Sequence, residues 1–371
     1  MNYAASPEKV PPRLGLVAHW LLAAAVVAGC RPGNQPSPPM AVGSATDRPL
    51  LCRRIDGVLA HARDGRLLDA RVQGAWQVVH GILAFGPDLP LATDRGRRSA
   101  LDYLLDGGPL TGWKLRLGSR GVAAIVEEGS SMGQGHPDQW LGYLAQCGVG
   151  GTDGRFASGI PLDTPLAVAG RTMTVADLLS QAQHDIRDGQ EATWTLMALA
   201  AWLPTDAAWV AGDGERWTTE RVVRMEAAAD IPSAACGGAH RLYGLAVAVD
   251  AHRRATGGPP RGGWADAARV VAESLDRARR YQEADGSFAV RPFERPGTSP
   301  DIFARLSATG HVFEVLAVAL DGPHDPRFEQ TADLDVECGG LYHAAHGLAI
   351  YKQRVCPAAD GHGFADRPAA P

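Results

Sequence analysis

Six segments of the chain are apolar on nearly every helical face. His80 to Phe85, Thr193 to Leu203, Tyr243 to Val249 and Phe313 to Leu320 show it best. A helix of that kind is buried on all sides. Each of the six carries a small residue followed by apolar ones: Gly81-Ile82-Leu83-Ala84, Gly142-Tyr143-Leu144-Ala145, Ala198-Leu199-Ala200-Ala201, Gly244-Leu245-Ala246-Val247, Ala317-Val318-Ala319-Leu320 and Gly347-Leu348-Ala349-Ile350. Successive copies lie 61, 56, 46, 73 and 30 residues apart, a loose internal repeat. Between them run amphipathic segments with one charged face, as in Thr174 to Asp185, Thr218 to Ala229 and Trp264 to Gln282. Alternation of buried and surface helices predicts an all-α fold, an α/α toroid of about six inner helices with outer helices around them, over residues 51–356. The 30-residue step before the last copy contains no amphipathic pattern in Asp321 to Glu337. It predicts a missing outer helix and a ring open at that point. Strand-like alternation around Gly118-Ser119-Arg120-Gly121 (Lys114 to Val126), around Ala169-Gly170 (Pro165 to Met173) and in Phe288 to Phe293 predicts three small β-hairpins at the rim.

The N-terminus follows another pattern. Leu14 to Gly29 is uncharged and mostly apolar, follows Lys9 and Arg13, and closes on Val27-Ala28-Gly29-Cys30. A run slightly short for a membrane span and ending in small residues reads as an export signal over 1–29. An uncleaved N-terminal membrane helix is the other reading. Val27-Ala28-Gly29-Cys30 resembles the bacterial lipoprotein box. That resemblance implies that Cys30 is the first mature residue, is acylated, and anchors the exported chain to membrane lipid in the bacterial cell envelope, as stable anchoring needs more than one acyl chain. Residues 30–50, rich in Pro, Gly and Ser, read as a flexible tether, and 357–371 as a disordered tail. A net charge of −5 without a basic run argues against a nucleic-acid partner. Five further cysteines, at 52, 147, 236, 338 and 356, allow at most two bridges in an oxidising compartment, and spacing leaves the pairing open.

Aligning the six copies brings chemistry into register. Four positions upstream of the small residue stand Gln77, Asp138, Trp194, His240, Phe313 and His343. One position upstream stand His80 and His346, and His136, Glu191 and His311 lie near helix starts, with Glu314 and Tyr342 adjoining. Buried polar groups must be paired or line a cavity, so this register predicts a polar funnel at one end of the inner helices. Asp138 or Glu191 would be its acid–base group, with His240 and His343 as partners. Helix-start carboxylates and core histidines bonded to backbone carbonyls are the competing readings. Cys236-Gly237-Gly238-Ala239-His240 and Cys338-Gly339-Gly340-Leu341-Tyr342-His343 place two thiols and two imidazoles at two helix starts, a ligand set for zinc. The same pattern also fits close backbone approach with small buried cysteines, or a Cys236–Cys338 disulfide. Gly129-Ser130-Ser131-Met132-Gly133 has the spacing of a nucleophile elbow but lacks the parallel-sheet context that motif needs. It reads as a loop.

Gln282, Gly286 and Phe288, within Ala278 to Phe288, form a Gln-x-x-x-Gly-x-aromatic element that resembles the prenyltransferase and squalene-oxidase repeats, and Cys236 to His240 touches the same likeness. The resemblance implies an α/α toroid. The Asp-x-Asp-Asp motif of terpene cyclases is absent, and the nearest match to the prenyltransferase zinc motif, Asp335-Val336-Glu337-Cys338 with His343, is one residue too long. The expected function is a lipid-anchored toroid whose cavity acts on a polymer such as a glycan. The alternatives are a non-catalytic module binding a small molecule, glycan or peptide at the cell envelope, and a zinc-dependent transferase-like activity.

Overall fold

All six repeat segments form helices in the computed structural model, which describes residues 48–65, 67–127, 135–147, 159–319 and 341–356, within the unit Val42–Pro371. They are α2 (Ala75–Phe85), α4 (Gln139–Gln146), α6 (Thr193–Trp202), α8 (Ala239–Thr256), α10 (Ile302–Ala319) and α11 (Leu341–Val355). Each packs on the next in chain order, and α11 packs back on α2. Helices α10 and α11 pack directly on each other, while Asp321 to Glu337, where an outer helix was expected to be missing, lies outside the described residues. Small residues allow the approach. A Cβ on Gly142 would stand 2.8 Å from the Trp194 ring, and one on Gly310 would stand 2.6 Å from the backbone nitrogen of Ala344. Gly310→Ala should therefore push α10 and α11 apart and cost about 1–3 kcal/mol, as overpacking usually does. Urea unfolding measures this, and an unchanged midpoint would mean that the two helices do not touch there.

Shorter amphipathic helices cover this set. Helix α5 (Val175–Asp185) leans on α4 and α6, α7 (Thr219–Ala228) on α6 and α8, and α9 (Gly263–Arg280) on α8 and α10. Helix α1 (Arg48–Asp64) covers α11, and α3 (Ala100–Leu105) covers α2. Residues 48–50, expected to close the tether, already belong to α1. Three of the covering helices are entered the same way, through an antiparallel hairpin that ends on a Ser or Thr cap. β2 (Pro90–Thr93) and β3 (Gly96–Ser99) lead into α3, where the Ser99 hydroxyl accepts from the Asp102 amide. β6 (Pro165–Val168) and β7 (Arg171–Thr174) lead into α5 through a Thr174–Asp177 capping box. β8 (Ala208–Val210) and β9 (Arg216–Thr218) lead into α7, capped by Thr218. A side-chain oxygen at this position satisfies an amide that the first turn leaves free. β1 (Leu68–Asp69) adds a parallel edge to β2.

The hairpins at Lys114 to Val126 and Pro165 to Met173 form as expected, the first as β4 (Trp113–Leu117) and β5 (Val122–Val126). Phe288 to Phe293 is not a strand. It is an irregular loop whose buried Phe288 and Phe293 face the core, with the Gln282 amide donating to the Gly286 carbonyl at 2.8 Å. One disulfide joins Cys52 on α1 to Cys356 just beyond α11, across 304 residues. Cys147 and Cys236 carry free thiols. Cys30, expected to be acylated, the elbow-like Gly129 to Gly133, and Cys338 lie outside the described residues.

Candidate functional site

The helices α2, α4, α6, α8, α10 and α11 bring imidazoles from four of them together. His343 on α11 is the hub. Its ring lies 3.8 Å from that of His311, 5.0 Å from that of His80 and 5.2 Å from that of His240 between centroids, and His311 lies 4.7 Å from His240. These rings are buried and in mutual contact, so the floor of the expected funnel is filled with side chains. Hydrogen bonds fix several tautomers. Nδ1 of His80 donates to the Trp76 carbonyl at 2.6 Å, and its Nε2 accepts from the Tyr143 hydroxyl at 2.6 Å, which in turn accepts from Gln139 at 3.3 Å. Nδ1 of His311 donates to the Ser307 carbonyl at 2.6 Å. That leaves a lone pair on its Nε2, which stands 3.2 Å from Nε2 of His240. Burial holds His80 and His240 well below the ordinary imidazole range, with neighbouring imidazoles adding to it. Burial, then His343, lowers His311 to about 3. These three rings are neutral at neutral pH.

Glu314 anchors the other side. It is 4% exposed, and its two oxygens accept from Nδ1 of His343 at 2.9 Å and Nδ1 of His346 at 2.7 Å. Burial raises its pKa, yet the two imidazoles outweigh that and hold it at about 2, so it is a carboxylate. Nε2 of His346 is buried and has no hydrogen-bond partner.

Above this floor the rim is partly open. Glu191, just before α6, accepts from Nδ1 of His136 at 2.7 Å, and that bond lowers its pKa. Asp138 is the residue before α4 and takes a left-handed φ of 56°. Thr195 donates to its carboxylate at 2.5 Å, but burial dominates and pushes the acid up to about 6. Trp194 is wedged between rim and floor, 4.7 Å from Tyr143, 4.9 Å from His240 and 6.3 Å from His136. Its indole N–H is buried without a partner, a donor available to a ligand. Cys236 sits in a turn with φ of 53°, followed by Gly237 at 63° and Gly238 at 90°. The residue is open to solvent, while its thiol turns inward to within 4.8 Å of ligand atoms of both His240 and His311. Burial of the sulfur, then Glu314 and Glu191, raises that thiol to about 11. It is therefore not an activated nucleophile, which would need a lowered pKa.

No protein-family model, no curated protein and no solved structure matches the chain. The site is therefore read from its own geometry. The structure joins His80, His240, His311, His343, His346 and Glu314 by ring contacts and hydrogen bonds, Trp194 links them to His136 and Glu191, and Asp138 bonds Thr195 on the same helix as Trp194. Of the other residues expected in the funnel, Phe313 packs on Tyr351 and against Gly347, Tyr342 packs edge-on against Phe85, and the buried Oε1 of Gln77 has no hydrogen-bond partner. For Phe313 the cause is register. In α10 Gly310, two turns before Ala317, lies close against Ala344 of α11, while His311 and Glu314 reach the imidazoles. Tyr143 and Gln139, which close the hydrogen-bond chain to His80, carried no polar register to flag them. A separate open cleft of about 740 Å³ involves Thr205, Glu220, His252, Arg261 and Trp264 near the far end of α8. In it His252 stacks on Trp264 and bonds Thr205, and Glu220 pairs with the neighbouring Arg224.

Proposed function

We propose that this chain is an exported, lipid-anchored α/α toroid whose rim performs acid–base chemistry on an envelope polymer such as a glycan. The observation that carries the reading is the placement of two carboxylates, Asp138 and Glu191, at one end of adjacent buried helices in opposite environments. Carboxylates pushed apart in this way divide into an acid and a base. Glu191 is ionised, is held in place by Nδ1 of His136, and would take a proton from substrate or water. Asp138 would protonate the departing oxygen. The toroid reading draws support from the closed order of helix contacts and from the resemblance of the Gln282 to Phe288 element. Cys30 and the segment before it support export and anchoring.

Glu191→Gln should lower the rate of glycan cleavage about a hundredfold or more with the far-ultraviolet circular dichroism unchanged. The wild-type rate should fall as pH rises through about 6, where Asp138 loses its proton, and Asp138→Asn should abolish that limb together with the activity. The folded chain keeps this proton up to about 6 and the unfolded chain loses it near 3.8. Ionisation of Asp138 therefore subtracts stability as pH rises through that window, so Asp138→Asn should be no less stable than wild type at neutral pH. A non-catalytic glycan- or peptide-binding module is the second reading, favoured by the filled floor beneath the rim. Retention on immobilised glycan without any bond cleavage at pH near 6 would replace the enzyme reading with this one.

A further inference from the structure

We infer that Cys236, His240 and His311 bind one zinc-class transition-metal ion, with His343 and Glu314 as the supporting layer behind it. This site does not depend on the acid–base reading of the rim.

Four observations converge on it. First, the ligand atoms of the three residues already lie within 4.8 Å of one another. The two Nε2 atoms are 3.2 Å apart, close to the roughly 3.3 Å that two nitrogens at about 2.0–2.1 Å from a tetrahedral zinc would show. Second, His311 has the second bond that ligating histidines make. Its Nδ1–H is committed to the Ser307 carbonyl, which fixes the tautomer with Nε2 free to bind. Third, Glu314 is a buried carboxylate whose partners are both imidazoles, and among the described residues no Lys or Arg bridges to it. Its negative charge and that of a Cys236 thiolate would both favour a divalent ion on His240, His311 and the sulfur. Fourth, the left-handed turn at Cys236, Gly237 and Gly238 swings the sulfur inward over the rings.

One sulfur and two imidazole nitrogens favour zinc, cobalt or copper(I) over magnesium or calcium. Three protein ligands leave a fourth position for water or a substrate atom. Binding exchanges the thiol proton for metal, so one proton leaves Cys236 for solvent as the metal–sulfur bond forms. The competing account is a direct hydrogen bond from Nε2–H of His240 to Nε2 of His311, with the thiol a bystander.

The full chain, stripped with chelator with its disulfide intact, should be titrated with Co²⁺ and then Zn²⁺. Metal binding should produce one tetrahedral cobalt spectrum with a thiolate-to-cobalt band, saturate at one ion per chain, release a proton and raise the thermal midpoint. Cys236→Ser, at a solvent-open turn, should fold and lose the sulfur band. His311→Ala should lose stoichiometric binding. Glu314→Gln, which removes a nearby negative charge, should weaken affinity about tenfold while keeping the stoichiometry, and His252→Ala, in the far cleft, should bind as wild type. A folded wild-type chain that gives no cobalt spectrum overturns the inference. So does a Cys236→Ser chain whose spectrum and affinity match wild type.

Discussion

Replacing Glu226 with Ala should lower the unfolding free energy by about 3–5 kcal/mol, the usual cost of removing one partner from a buried ion pair. Glu226 is 1% exposed on α7 and ties three helices together. One oxygen accepts from the Ala192 amide at 2.8 Å and the other from the Thr193 hydroxyl at 2.6 Å, at the start of α6. Arg241 on α8 donates to it at 3.1 Å through a side chain only 10% exposed. Alanine would leave that guanidinium with only the Asp230 carbonyl at 3.3 Å, and an amide and a hydroxyl would lose their acceptor. Glutamine keeps the shape and one acceptor, and should cost about 1–3 kcal/mol. The difference between the two variants in urea unfolding isolates the charge. Equal losses for Ala and Gln would show that the carboxylate charge contributes nothing. Glu191 and Trp194 flank the start of α6, so the Ala variant should also disturb the rim.

Opening the Cys52–Cys356 bridge should cost about 2–5 kcal/mol. The bridge closes a loop of 304 residues, near the upper end of the chain-entropy effect, and it pins α1 to the end of α11. The double variant Cys52→Ala/Cys356→Ala should unfold at lower urea and lower temperature than the oxidised parent. Its midpoint should also become indifferent to reductant. A parent whose midpoint does not move with dithiothreitol would mean that packing of α1 on α11 holds the ends without help.

The buried helices were legible because a segment apolar on every face has no other place to go, and Gly142 and Gly244 do sit at close helix contacts. The covering helices were legible from their charged stripes. Two hairpins were missed. Pro90 to Ser99 contains three arginines and Ala208 to Thr218 only a lone Asp-Gly pair, and their strands are too short for alternation to show. Yet Pro-Leu-Ala opens both β2 and β6, a repeat visible in hindsight. The misplaced register of α10 has a plain cause. Gly310 and Ala317 are both small, and only the approach of Ala344 distinguishes them. Glu226 gave no signal, because nothing in Arg221 to Glu226 marks one acid of a charged face as buried. The pairing of Cys52 with Cys356 depends on where the last helix returns, which spacing does not encode. The gathering of His240 and His343 was legible from their shared position, four residues before a small one. The neutral state of His240 and the charge on Glu314 depend on burial and hydrogen bonds that only the packed helices make.

The bridge between Cys52 and Cys356 also sets a load path. Tension applied between the two ends of the chain enters at Cys52, crosses one covalent bond, and leaves at Cys356. Residues 53–355 are shunted out of the circuit. A pull that would unravel an open chain helix by helix is here borne by sulfur, and the imidazole cluster feels none of it until the bridge is cut.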